Sequence, residues 1–322
     1  MKKRLWSVFA VAVVLSLFAA ACAPSAAPTK APVEEKTKAA VLFPGVVTDD
    51  SWNEEGYLGL LQAEDECNVE GAYTENVSQD EQIEVMRTYA AEGYDIIIGH
   101  GGEFVDAAET VAAEYPDIQF VITNGYVGHD NVSSIRTSYA HMGYLAGVLA
   151  AEMSKTNKIA AVSAEPIKSM ETGIEQFRAG AASVGKGTEV SAVYTGNWVD
   201  VSLAQEASLA LIDDGVDVLF HLLDAADAGL YNAAEDRGVM SIGSERDGSH
   251  LAPTSYLGST MSSTKMLVYM PACGQVAPGE VATEDVTNYV YFDMSDRVPE
   301  EIKQKVLDIE EKMKSGEIYV EP

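Results

Sequence analysis

Short, nearly continuous apolar runs alternate along the chain with longer stretches that carry one apolar face. The runs over residues 39–43, 69–74, 94–98, 118–123 and 132–137 predict strands. Residues 51–65, 80–92 and 103–115 between them predict helices, the second with Ile83, Met86 and Ala90 on one face. Asp50 or Ser51 is the expected cap of the first helix. A second series follows: a long apolar helix over 139–154, strands over 159–163, 190–195, 216–222 and 239–242, and helices over 171–184, 201–214 and 228–237. Then 258–270 reads as a helix after a short strand, and 288–292 as extended. Residues 299–315 read as a helix with Ile302, Val306, Ile309 and Met313 on one face, Pro299 at its start and Gly316 past its end.

Strand–helix alternation with short apolar strands implies parallel sheets covered on both faces. Two such series imply an α/β protein of two doubly wound domains. The expected division is 39–135 plus about 246–285 for the first, and 136–245 plus about 290–322 for the second. Ligands of such sheets bind beyond the carboxyl ends of the strands. With two domains facing each other, that places the ligand in the cleft between them.

The first residues follow a different rule. Lys2, Lys3 and Arg4 precede an apolar run over 5–18, and Ala19, Ala20 and Ala21 supply the small residues of a cleavage site. This is the pattern of a secretory signal peptide over 1–21. The run falls short of the roughly 20 residues of a membrane-spanning helix. Leu17 to Cys22 resembles a bacterial lipobox, with Ala19 where Leu is usual. The expectation is a lipidated Cys22, a flexible tether over 22–38 rich in Pro, Ala, Ser, Thr and Lys, and work outside the cytoplasm on a membrane anchor.

Charge narrows the partners. The 322 residues carry 21 Lys and Arg against 50 Asp and Glu, a net charge of −29. Signal removal takes three basic residues, leaving 18 against 50 and a charge of −32. Nucleic-acid binding needs clustered cations and is disfavoured. After Cys22, the cysteines are Cys67 and Cys273, which either pair in an oxidising compartment or stay buried as thiols. Neither lies in a Cys/His setting that suggests a catalytic thiol.

The loops after the strands hold the candidate chemistry. The first contains Asp49, Asp50, Ser51, Trp52 and Asn53 at a helix start. Trp52 can stack on a flat ring while Asp50 and Asn53 bond its edge; the competing roles are core packing for Trp52 and helix capping for Asp50. The run Gly99, His100, Gly101, Gly102, Glu103, Phe104 lets backbone approach a ligand, with Gly101 and Phe104 as candidates. It lacks the Walker lysine and the dinucleotide spacing, and His100 reads as solvated or turn-bonded. Asn124 follows the fourth strand. His141 starts a helix as either a terminal polar residue or a cleft donor. Trp198 and Asp224 are candidates for the opposite wall, with Ser244 and Glu245 beyond the strand ending at Gly243. Arg246 reads most simply as a salt-bridge partner. No nucleophile elbow, His-Glu-x-x-His or clustered Cys/His set occurs, so a binding module is favoured over an enzyme, with no cofactor or metal expected.

Several segments in order carry a family resemblance. They are Asp50-Ser51-Trp52-Asn53, residues 112–120, Gly143-Tyr144-Leu145-Ala146-Gly147 leading to Met153-Ser154-Lys155-Thr156, residues 194–200, and Lys314-Ser315-Gly316-Glu317-Ile318. Together they resemble the basic membrane protein (BMP) family, lipoprotein substrate-binding components of purine-nucleoside ABC transporters, from about Lys38 to Val320. The resemblance implies a periplasmic-binding-protein type I fold, two α/β domains with a three-segment hinge. It also implies a small-molecule ligand, permease and ATPase partners, a membrane tie through the lipid and a monomer. The family's stacking aromatic and base-contacting residues fall at Trp52, Asn53 and Asp50. Trp in place of Phe, and the loop at Asn197-Trp198, resemble a branch associated with nucleobases such as adenine. The family's ribose-binding Asp falls at Ser244, with Glu245 beside it, and its Lys near Ser262, with Lys265 close. The glycine-rich run after the strand ending at His221 is replaced by residues 222–227. The alternatives are a sensory lipoprotein, a binding protein for riboflavin or a sugar, and a secreted hydrolase such as a nucleosidase.

Overall fold

The computed structural model describes residues 36–49, 52–284 and 288–320. Cys22, the rest of the leader and tether up to residue 35, Asp50 and Ser51 lie outside the described residues.

Two six-stranded sheets organise the chain. The first half runs β1 (Thr37–Leu42), α1 (Trp52–Glu66), β2 (Val69–Thr74), α2 (Gln82–Ala91), β3 (Ile96–Gly99), a 3-10 turn (Gly102–Phe104), α3 (Val105–Ala112), β4 (Gln119–Thr123) and β5 (Val132–Thr137). The second runs α4 (Tyr139–Met153), β6 (Lys158–Ser163), α5 (Lys168–Ser183), β7 (Glu189–Tyr194), α6 (Val201–Asp213), β8 (Val218–Leu222), α7 (Asp227–Arg237), β9 (Met240–Glu245) and β10 (Tyr256–Met261). The chain then adds α8 (Thr264–Ala272), β11 (Val281–Glu284), β12 (Tyr291–Met294) and α9 (Glu300–Lys314).

The strand orders are β11-β5-β4-β3-β1-β2 and β12-β10-β9-β8-β6-β7. Every pairing is parallel except β12 on β10. Central strands such as β3, with all four residues buried, have no polar face because helices cover both sides. In each sheet the order reverses beside the first strand of its half, between β1 and β3 and between β6 and β8. The loops leaving those strands diverge there and open a crevice. α4 and α5 cover the second sheet in close contact: a Cβ on Gly143 would stand 2.0 Å from the Gly173 carbonyl oxygen, and one on Gly180 2.1 Å from that of Tyr144. Those glycines let the two backbones touch.

The chain passes between the sheets three times: from β5 into α4, from β10 towards α8, and from β11 to β12. Three expectations need correction. The second passage, expected near residue 246, comes after Met261, because β10 pairs with β9 and carries β12 on its other edge. The helix expected over 258–270 is therefore strand β10 followed by the shorter α8, its start hidden by the small residues Gly258 and Ser259, which suit a strand buried between two others. On α2 the covered face runs through Gln82, Met86 and Ala90, one turn apart, and Ile83 is exposed.

A disulfide joins Cys67, just past α1, to Cys273 at the end of α8. It ties the helix that returns from the second sheet to the first helix of the chain, across 206 residues of sequence.

Candidate functional site

A cleft of about 1060 Å³ opens between the carboxyl ends of the two sheets. That is at the top of the roughly 300–1,000 Å³ range of small-molecule sites. Pro44 and Gly101 line it from the reversal point of the first sheet, and Glu165, Leu223 and Asp224 from that of the second.

Trp52, the first residue of α1, lines the cleft. Asp49 holds the start of α1: its carboxylate accepts the Asn53 backbone N–H at 3.2 Å, the Glu54 N–H at 3.0 Å and the Asn53 side-chain amide at 2.6 Å. A carboxylate at a helix N-terminus satisfies orphan donors and meets the positive end of the dipole. One face of Trp52 stacks on His100, with ring centroids 4.4 Å apart and planes 17° from parallel. His100 is fully buried. Its Nε2 lies 3.0 Å from the Trp52 carbonyl oxygen and its Nδ1 3.2 Å from the Thr123 hydroxyl. A carbonyl only accepts, so Nε2 carries the proton. Burial drives the His100 pKa down to about 4, against the pull of the Trp52 carbonyl. The imidazole is therefore neutral at pH 7, and Nδ1 accepts from Thr123. Gly56 makes this possible, since a Cβ there would stand 2.6 Å from His100 Nε2.

On the other wall, Trp198 lines the cleft while packing against both apolar clusters of the second half. Its loop is held by Asn197, whose Oδ1 accepts the N–H groups of Val199 at 2.9 Å and Asp200 at 2.8 Å. Tyr139 Oη donates to Glu245 Oε1 at 2.5 Å. Burial raises the Glu245 carboxyl above its ordinary value; the Tyr139 bond opposes this and the nearby Asp224 charge adds to it. Arg246 donates to Asp227 Oδ2 from Nη2 at 3.0 Å and from Nε at 3.3 Å, and the Asp227 side chain is 2% exposed. Burial lowers the guanidinium pKa, but the Asp227 carboxylate more than compensates and the net shift is upward.

The lining is acidic. Glu55, Glu103, Glu165, Asp224, Glu245 and Asp247 face only Lys168 and Arg246 among the described lining residues, and Arg246 is committed to Asp227. Glu103 is open to the cleft, yet the surrounding wall desolvates its carboxyl and raises it. No group of His, Cys, Asp and Glu among the described residues has the arrangement of a metal site. No described helix is long and apolar enough to cross a membrane.

Residues 36–322 match the family described as Bmp, ABC transporter substrate-binding protein PnrA-like. The chain belongs to this family. Bmp proteins are substrate-binding proteins, and the two parallel sheets are those of periplasmic-binding-protein type I solute-binding proteins. A relative in Bacillus subtilis, named transcriptional activator protein med, is 30% identical over 80% of this chain and 78% of its own. A purine-binding protein of Brucella abortus is 27% identical over 88% of this chain and 83% of its own. A crystal structure of a transcriptional activator of the comK gene from Bacillus halodurans superposes with a TM-score of 0.77 at 27% identity, over 88% of this chain and 99% of that one.

Within this Bmp fold, the cleft gathers Trp52, Gly101, Asn124, Trp198, Asp224, Ser244 and Glu245 of the residues singled out from sequence. Asp50 lies outside the described residues. Three others are elsewhere. Asn53 is buried and bonded to Asp49. Phe104 is wholly buried in the core of the first lobe, because the 3-10 turn rotates it inward. His141 is buried one turn into α4, where its N–H meets the Ser138 cap at 3.3 Å. His100 is neither solvated nor turn-bonded but backs Trp52. Arg246 is the salt-bridge partner expected, and it lines the cleft as well. Sequence reasoning missed Tyr139, Tyr126 and Glu103 as lining residues. Tyr139 follows the Ser138 cap at the first passage between sheets, a position that only the passage itself reveals.

Proposed function

We propose that this protein binds a purine nucleoside or nucleobase in the cleft between its lobes and delivers it to an ABC importer. The observation that carries this is Trp52, supported on one face by a neutral, buried imidazole and lining an interlobe cleft. A flat heterocycle stacked on an aromatic ring of this kind gains about 1–3 kcal/mol. The family match and the purine-binding relative support the same ligand class. The acidic lining disfavours a phosphorylated ligand and suits one that presents N–H donors. Asp50, Asn124, Asp224 and Glu245 are the polar groups proposed to read its edge, and Trp198 to close from the second lobe. The cleft exceeds what a purine fills, so the ligand is held by closure, a population shift towards the state in which both walls touch it.

The protein works outside the cytoplasm as a monomer, tethered through a lipid on Cys22. The Cys67–Cys273 disulfide fits an oxidising compartment. A thermal-shift titration of the purified protein against nucleobases, nucleosides, riboflavin and sugars tests the ligand. Binding to the native state raises stability by RT ln(1 + [L]/Kd), so a micromolar purine at millimolar dose gives a clear shift. A shift with riboflavin or a sugar and none with purines overturns the purine assignment.

Relatives named as transcriptional activators favour a second reading, in which the bound ligand is reported to a signalling partner. Uptake of labelled purine by cells with and without the gene separates the two, since a sensor leaves uptake unchanged.

A further inference from the structure

Two cleft-lining side chains stand on backbone that L residues adopt reluctantly: Asn124 at φ 52 and Glu245 at φ 67. Asn124 directly follows β4 of the first lobe, and Glu245 ends β9 of the second. Residues held in this region persist where their surroundings over-determine them. The surroundings here meet at one short segment, residues 137–139. The Asn124 Oδ1 accepts the Thr137 backbone N–H at 3.2 Å. The Tyr139 hydroxyl, two residues on, donates to Glu245 Oε1 at 2.5 Å. Thr137 ends β5 and Tyr139 begins α4, so the two bonds leave the first passage between the lobes, one to a cleft-lining side chain of each lobe. Tyr139 is itself buried among the apolar residues of the second lobe, which fixes its ring.

We infer that Tyr139 is a positioning residue, whose hydroxyl fixes Glu245 from the same crossing segment that holds Asn124 through the Thr137 N–H, and so couples the reading of the ligand edge to the angle between the lobes. The proposal deepens the purine reading and rests on it only for the identity of the ligand. Removing the hydroxyl leaves the ring in place and leaves Glu245 facing Asp224, Asp227 and Arg246 without its donor. The remaining titratable neighbour of Tyr139 is Tyr126.

Tyr139→Phe tests this with two readouts. The first needs no ligand. Tyr139 opposes the burial that raises the Glu245 carboxyl. The stability gap between wild type and Tyr139→Phe is therefore larger where Glu245 is ionised and narrows as pH falls and the carboxyl takes a proton. Asp224, Asp227, Arg246 and Tyr126 are present in both proteins and largely cancel in the difference. A gap that does not narrow down to the lowest pH at which both proteins stay folded assigns Tyr139 to packing alone and overturns the proposal. The second readout is the affinity of whichever panel compound binds the wild type. Tyr139→Phe is expected to weaken it at least tenfold, and Glu245→Gln to add little in the Tyr139→Phe background, because both act on the one Tyr139–Glu245 bond. Unchanged affinity, or fully additive losses, also overturns it. Failure of every purine to bind the wild type sinks the ligand assignment and leaves the pH readout standing.

Discussion

His100 backs the inner face of Trp52, and Gly56 leaves the room it needs. This pair explains why an aromatic at the mouth of a helix can present itself to a cleft rather than fold into the core: a neutral ring fills the space behind it. Gly56→Ala drives a methyl group into the imidazole, whose bonds to Trp52 and Thr123 leave it no easy retreat. The expected cost is about 1–3 kcal/mol of stability, read by urea unfolding, with a weaker ligand response. Trp52→Ala removes the stacking partner, so ligand affinity falls by about 1–3 kcal/mol in a titration while unfolding stays cooperative. Ligand affinity equal to wild type contradicts the stacking role. The importance of Trp52 is legible in the sequence as an aromatic at a helix start after a strand. The role of His100 is not, since a lone histidine between glycines looks the same whether solvent or a tryptophan covers it.

α1 and α8 show what an element inherits from its neighbours. Both begin at the cleft, through Trp52 on α1 and Thr264 on α8, and their far ends are joined by Cys67–Cys273. The two cysteines alone leave pairing open, because their separation of 206 residues carries no geometric information. Their meeting depends on β10 belonging to the second sheet and α8 to the first. Replacing both cysteines with serine is expected to cost about 2–5 kcal/mol in denaturant unfolding. A loss under 1 kcal/mol shows that helix packing alone holds α8. The misreading of β10 as helical has the same origin. Its residues are compatible with either state, and its two partner strands, one parallel and one antiparallel, decide between them.

The whole molecule repeats its plan twice, and each half buries a histidine on or after its third strand, His100 beyond β3 and His221 on β8. Burial holds both at pKa about 4, below the ordinary 6.5. The unfolded chain protonates them first, so their contribution is complete above pH 6.5 and is lost as pH falls towards 4. Each is worth about 3 kcal/mol at full effect. The thermal midpoint is therefore expected to drop between pH 6.5 and 4.5, and His221→Asn to flatten part of that drop; a midpoint unchanged from pH 7 to 5 contradicts it. At this scale the alternating apolar runs determine two parallel sheets, helices on both faces and a cleft where the strands end, because period and burial are local properties of the chain. Charge determines the acidic character of that cleft. Only the tertiary structure decides where the chain crosses between lobes, that Asn53, Phe104 and His141 turn away from the cleft while Tyr139 and Glu103 enter it, and that Tyr139 bonds Glu245. Those facts depend on which strands pair and how two lobes meet, and contacts between residues distant in sequence leave no local pattern to read.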